Sequence, residues 1–481
     1  SRATLYISGL GYYQAFLNGK CVSEDLLTPS ITFYSETVYY NTYDVTRLVH
    51  GGDNALGVIL GNGRYFWVRG SGMEGFGLPR LLAQLVIEYA DGTQKIIASD
   101  ETWKVTSKGQ IVACNEFDGE EYDMRKELSG WNVSGYNDAA WNNADIMSVP
   151  CKRLRAQPCP SVAVMERLRP LSVTRLASGK VLIDMGQNMV GWIRFTARGA
   201  SGTKLRVKSG EMLNDNGAAE RANDGPGGSL YTYNLRTAGA TLNYTMKGAE
   251  KGETFQPSTT FFGFRYCEVT ASSDVEITAL TGEVVGSDIE ESATFLTSHR
   301  DVNQLYSNIL WGQRGNFLSI PTDCPQRDER LGWSADTQIF ARAASYNADT
   351  RAFYHKWMRD LRLSQREDGA YPDMAPFCNF WGYGNAAWGD AGVIVPWTVY
   401  VMFGDRRILA DNYASMTHYM DWLAAQGDEE YRYNGAGTGM GDWLAYEKTD
   451  ARYVSVCYYA YVTRLMGKIA SALSEAPTDR Y

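Results

Sequence analysis

Near residue 295 the apolar residues change their spacing, from every second position to every third or fourth, and this divides the chain into a strand-building part and a helix-building part. Before the change, short alternating runs such as Thr4-Leu5-Tyr6-Ile7, Ala55-Leu56-Gly57-Val58-Ile59-Leu60 and Leu82-Ala83-Gln84-Leu85-Val86-Ile87 are separated by the turn pairs Asn18-Gly19, Gly51-Gly52 and Asp91-Gly92. After it, helical spacing predicts helices over 301–315, 336–347, 350–364, 389–404, 407–425 and 452–474. Asp349-Thr350 and Asp390 are placed to cap helix starts, while Gly404-Asp405 and the glycines between 435 and 441 mark turns.

Within the strand-rich part, residues 1–150 predict a jelly-roll-like β-sandwich. The basic, proline-containing stretch 151–158 reads as a linker into a second β-sandwich, residues 151–292. Gln187-Asn188, flanked by glycines, suits a tight bend between strands rather than catalysis. The glycine-rich stretch 222–228 reads as a loop and matches no phosphate-binding motif. Tyr65, Phe66 and Trp67, if exposed, would give the first sandwich a sugar-binding face; a structural spacer is the plainer alternative.

Composition removes several function classes. The formal charge of −9 would repel nucleic acid phosphates. No apolar run approaches the roughly 18 residues of a membrane span. The 8 cysteines are dispersed without a Cys-x-x-Cys pair, so free thiols are expected and zinc is not. Only 4 histidines occur, at 50, 299, 355 and 418, which weighs against Ser-His and metal-dependent hydrolysis. Neither a metal nor a cofactor is expected. The opening residues carry no initiator Met and no address, so a trimmed chain is expected and the compartment is not legible, although a periplasmic or extracellular one would fit.

The densest chemistry lies in residues 323–336, Asp323-Cys324-Pro325-Gln326-Arg327-Asp328-Glu329-Arg330-Leu331-Gly332-Trp333-Ser334-Ala335-Asp336. Pro325 and Gly332 break any continuous helix, so a shaped loop is predicted. Crowded carboxylates raise one another's proton affinity and a nearby guanidinium lowers it. One acid can then be held protonated while others stay ionised, as acid-assisted cleavage of a glycosidic bond requires. Glu329, with Asp328 beside it and Asp323 and Asp336 within loop reach, is expected to be raised in this way and to act as general acid. Asp328 competes for that role or pairs with Arg330 as scaffold; a salt-bridge knot that only stiffens the loop is the plainer alternative for the whole cluster.

This segment resembles the catalytic signature of bacterial α-L-rhamnosidases, glycoside hydrolase family 78, with Ala335 standing where the family pattern has Gly. Further likeness runs through Gly11-Tyr12-Tyr13-Gln14-Ala15-Phe16-Leu17-Asn18-Gly19, Gly119-Glu120-Glu121-Tyr122-Asp123, residues 183–192 and Phe262-Gly263-Phe264-Arg265-Tyr266. The resemblance implies two β-sandwiches followed by an all-α (α/α)6-barrel catalytic domain over residues 293–481. It implies Glu329 as general acid, and Asp323, Arg327 and Asp336 as groups that bind sugar hydroxyls. Trp333, Trp388 and Trp443 would line the pocket for a 6-deoxy sugar, with Trp381, Tyr371 and Asp373 as outer contacts.

Six helices make half of such a barrel, so the expectation is a truncated chain whose partner is the missing C-terminal half. The family inverts the anomeric centre, which needs a second carboxylate acting on water; the resemblance places it beyond Tyr481, and Glu447 beside Lys448 reads as a surface pair. The implied substrate is a rhamnose-containing glycoside or polysaccharide. Another (α/α)6 glycosidase of different sugar specificity, or a non-catalytic carbohydrate-binding protein, stays open at this point.

Overall fold

The computed structural model describes residues 1–66, 75–217, 222–378, 382–427 and 440–473. Its amino-terminal part is strand-rich and its carboxy-terminal part helical, as the change of spacing predicts. The first layer pairs a five-stranded sheet, in the order Arg153–Ala156, Thr37–Asp44, Arg2–Leu10, Arg80–Glu88 and Gln94–Ala98, with a three-stranded sheet built around Tyr12–Leu17. Alternation sets the register: Leu5 lies opposite Leu85 and Ile7 opposite Ala83, and these pack against Tyr13, Ala15 and Leu17 of the facing sheet.

Two expectations for this layer change. Arg153–Ala156 is a strand paired in parallel with Thr37 to Tyr40, not a linker, because its backbone groups complete the edge of the first sheet. Tyr65 is buried against Tyr34 and Phe76 rather than offered to sugar, and Trp67 lies outside the described residues.

The second layer is a ten-stranded sheet centred on the long strand Val181–Gly199. Gln187 and Asn188 lie within that strand, at a register shift between Asp184 and Met189, so they form a bulge inside one strand and not a bend between two. Gly186 and Gly191, at φ 75° and 142°, allow the irregular path. Trp192, Phe195, Phe262 and Phe264 fill the core beneath it. Gly119–Asp123 joins this sheet by parallel pairing with Thr241–Thr245, although it precedes Arg153–Ala156 of the first sheet in sequence.

Among the described residues six α-helices follow: α1 (Arg300–Asn316), α2 (Ser334–Asn347), α3 (Arg351–Leu363), α4 (Ala391–Phe403), α5 (Arg406–Ala425) and α6 (Ala451–Ala472). Helix α4 is the apolar hub, packed against α2, α3, α5 and α6, and it ends at Gly404 in the left-handed conformation. Asp405 and Asp450 cap α5 and α6 by accepting from the amides of Arg407 and Arg452. At the start of α3 Asp349 accepts from the Arg351 amide at 3.2 Å, whereas Thr350 bonds the Ser345 hydroxyl and Asp390 turns back to the Ala387 amide, so neither caps with its side chain. Leu305, Ile339 and Tyr453 on α1, α2 and α6 remain exposed. All 8 cysteines are free, and no described helix is long and apolar enough to cross a membrane.

Candidate active site

Residues 323–333 form a loop at the seam between the second sheet and the helices, and 334–336 open α2. Arg330, with no solvent exposure and φ 53°, is its peg. The guanidinium donates to the carbonyls of Glu116 at 2.7 Å, Phe261 at 2.8 Å and Arg327 at 3.0 Å, and it lies over the Phe261 ring at 4.7 Å. On the other side Gly332 accepts from the Ala375 amide at 2.9 Å. A Cβ on Gly332 would meet the Ala375 carbonyl oxygen at 2.1 Å, so only glycine permits this approach.

The loop turns Glu329 inward, its side chain 13% exposed. One oxygen, Oε1, accepts from the Trp333 indole at 2.9 Å. The other pairs with Arg327 at 3.0 Å and with Arg236 at 2.9 Å. Arg236 comes from the second sheet, 93 residues upstream, and nothing in its local sequence signals the contact. Asp328 faces away: it is buried and accepts from the Thr237 hydroxyl as scaffold.

Asp323 accepts from the Leu331 amide at 2.8 Å and touches Arg327 at 3.5 Å. Burial first, and the Glu329 charge second, push its carboxyl up to about 6. Asp336, in the first turn of α2, lines one groove with Asp323; desolvation raises its proton affinity, and the Glu329 charge adds to this. Asp323, Cys324 and Glu329 offer ligand atoms within 4.8 Å of one another, with the Arg327 guanidinium set against both carboxylates.

Trp333 and Trp388 are buried in the same apolar cluster, and the Trp388 indole nitrogen has no hydrogen-bond partner. Trp443 stands 57% exposed, and among the described residues no hydrogen bond ties it to the signature. Two expected outer contacts belong to the interior. Tyr371 is fully buried and bonded to Ser415. Asp373 is fully buried too, and its carboxylate accepts from Asn385 Nδ2 at 2.6 Å and the Asn385 amide at 3.2 Å. The Asp373 carbonyl accepts from the Ser334 amide at 3.0 Å. Asp373 thus ties the signature to the Trp388 loop, a role its Tyr-Pro-Asp context does not announce. Trp381 lies outside the described residues.

One carboxylate braced by an indole and two guanidiniums, with further acids and buried indoles beside it, has the makings of a sugar-cleaving site. Three domain models of one glycosidase class match in succession: the α-L-rhamnosidase N-terminal domain over residues 1–166, the bacterial α-L-rhamnosidase concanavalin-like domain over 174–286, and the bacterial α-L-rhamnosidase 6 hairpin glycosidase domain over 290–481. The chain belongs to the bacterial α-L-rhamnosidase family. An α-L-rhamnosidase of Streptomyces avermitilis is 42% identical over 485 residues, 99% of this chain and 45% of that protein. The structure of the Streptomyces avermitilis α-L-rhamnosidase complexed with L-rhamnose is similar with a TM-score of 0.92 at 41% identity, over 99% of this chain and 45% of that one. The α-L-rhamnosidase of Aspergillus terreus gives a TM-score of 0.89 at 35% identity, over 98% and 55% respectively. The chain therefore spans about half the length of the relatives it matches.

Proposed function

We propose that these residues carry the general acid and most of the sugar pocket of an inverting α-L-rhamnosidase. Glu329 protonates the departing glycosidic oxygen as the bond to the anomeric carbon breaks. A second carboxylate, roughly 6.5–9.5 Å away, takes a proton from the water that attacks the opposite face. That base belongs to the part of the relatives' length that these residues do not span, and the same part completes an (α/α)6 ring over the apolar faces of α1, α2 and α6. Asp323, Arg327 and Asp336 bind hydroxyls of a terminal α-L-rhamnose, and Trp333, Trp388 and Trp443 its apolar side.

The observation that carries this reading is the placement of Glu329, turned inward beside Asp323, with Trp333, Arg327 and Arg236 fixing the direction of its carboxyl. The test is hydrolysis of p-nitrophenyl α-L-rhamnoside by the longer polypeptide that contains these residues. Glu329→Gln should lower kcat by about 10²–10⁴. A variant as fast as the parent removes Glu329 from the mechanism, and preference for a mannoside or fucoside reassigns the sugar.

A further inference from the structure

Every group assigned above to the rhamnose ring comes from the helical part, yet the second sheet also reaches the acid. The turn that reaches it is the short 3-10 helix Tyr233–Leu235, followed by Arg236 at φ 56°. The turn is rigidly seated: Leu235 is buried at its centre, Thr232 is held by Asp224, and Thr237 is bonded to Asp328 of the signature. What it presents outward differs from its anchors. Tyr233 is 72% exposed. The Arg236 side chain is 53% exposed and engages Glu329 through Nη1 alone among its described contacts, leaving N–H donors of its fork unused. Asn234 belongs with the anchors: it donates to Glu211 at 3.5 Å, its amide oxygen is buried, and Glu211 is held in turn by Asn188 at 3.0 Å.

A general acid must lie within hydrogen-bond reach of the oxygen it protonates, so a group bonded to that acid borders the bond being cleaved. With the rhamnose side supplied by the helices, the sheet-borne neighbours of Glu329 border the leaving group. We propose that Tyr233 and Arg236, three positions apart and so on one side of the 3-10 turn, form a leaving-group subsite that binds a sugar ring. This rests on the rhamnosidase reading and extends it. Tyr233 offers a flat face for the apolar side of a pyranose, and Arg236 offers the N–H donors of its fork to the ring's hydroxyls. A phenolic leaving group could use the ring face but not the polar set. The subsite therefore favours a saccharide as the group that departs.

The test uses the longer polypeptide, p-nitrophenyl α-L-rhamnoside, and a panel of α-1,2-, α-1,3-, α-1,4- and α-1,6-linked rhamnosyl disaccharides. In Tyr233→Ala, kcat/KM for the best disaccharide should fall about tenfold or more, while the aryl rhamnoside changes less than about twofold; Tyr233→Phe, which keeps the ring face, should stay near the parent on both. Inhibition by free L-rhamnose should stay at the parent value, which shows that fold and rhamnose pocket are intact. Equal losses on both substrates, no loss on either, or a parent that cleaves the aryl rhamnoside and none of the disaccharides overturns the subsite and leaves the rhamnosidase reading standing. A parent inactive on every α-L-rhamnoside overturns the rhamnosidase reading, and the subsite with it.

Discussion

Thr32 donates to Asp360 at 2.6 Å across a sequence separation of 328 residues. Asp360 also pairs with Lys356 one turn away in α3 at 2.8 Å, and neither side chain of that pair has any exposure. Lys356 in turn donates to the carbonyls of Ile31 and Ser319, so the first layer, α3 and the turn leading into the signature share one buried polar knot. Lys356→Ala would leave Asp360 buried without its cation, at a cost of about 3–5 kcal/mol. Replacing both partners, Lys356→Met with Asp360→Leu, should cost less than the single change. Thermal denaturation orders the variants; a single variant as stable as the parent would refute the knot's importance.

Asp373 gives a second expectation. Asp373→Ala removes both bonds to Asn385 and should loosen the loop that carries Trp388. Hydrogen exchange should rise about tenfold or more over residues 385–391 and stay at the parent rate in α5. Unchanged protection over 385–391 would mean that packing alone holds the loop.

The buried acids also set how stability responds to pH. Burial raises Asp323, Asp373 and Asp390 from 3.8 to about 6 each in the fold. Between those values the folded protein keeps protons that the unfolded chain has released. Their stabilising contribution is thus complete below the unfolded value and disappears as pH rises through the folded one. Tm should fall between about pH 4 and about pH 6.5, and Asp390→Asn should flatten the fall. A Tm that climbs over this interval contradicts the assignment.

Two glycines should answer alanine in opposite directions. At Gly332 the new Cβ would strike the Ala375 carbonyl, whereas at Gly312, inside α1, nothing lies within 4 Å. Gly312→Ala should stabilise by about 0.5–1 kcal/mol through helix propensity. Gly332→Ala should lower Tm clearly and slow any hydrolysis, because it separates the signature from residues 371–375. Equal responses at the two sites would contradict the close approach at Gly332.

Local information carried well from sequence to structure. The helices begin and end within two residues of the spacing predicted for 301–315, 336–347, 350–364, 389–404, 407–425 and 452–474, because the period reports which face is buried. What escaped was pairing over distance. Arg153–Ala156 looked like a linker because its partner is Thr37–Asp44, and Arg236 carries no mark of Glu329. Tyr371 and Asp373 looked like surface contacts because burial of a loop depends on what packs over it, here Ser415 and Asn385.

The two sheets exchange strands against the order of the chain: 119–123 crosses to the second before 153–156 returns to the first. They are stitched together rather than strung in a row. Cutting at residue 150 would strip the first sheet of its edge and leave a ribbon of the second dangling from the wrong fragment. Such an architecture resists being shuffled as separable cassettes, and whoever wishes to transplant the helical half must carry both sheets with it.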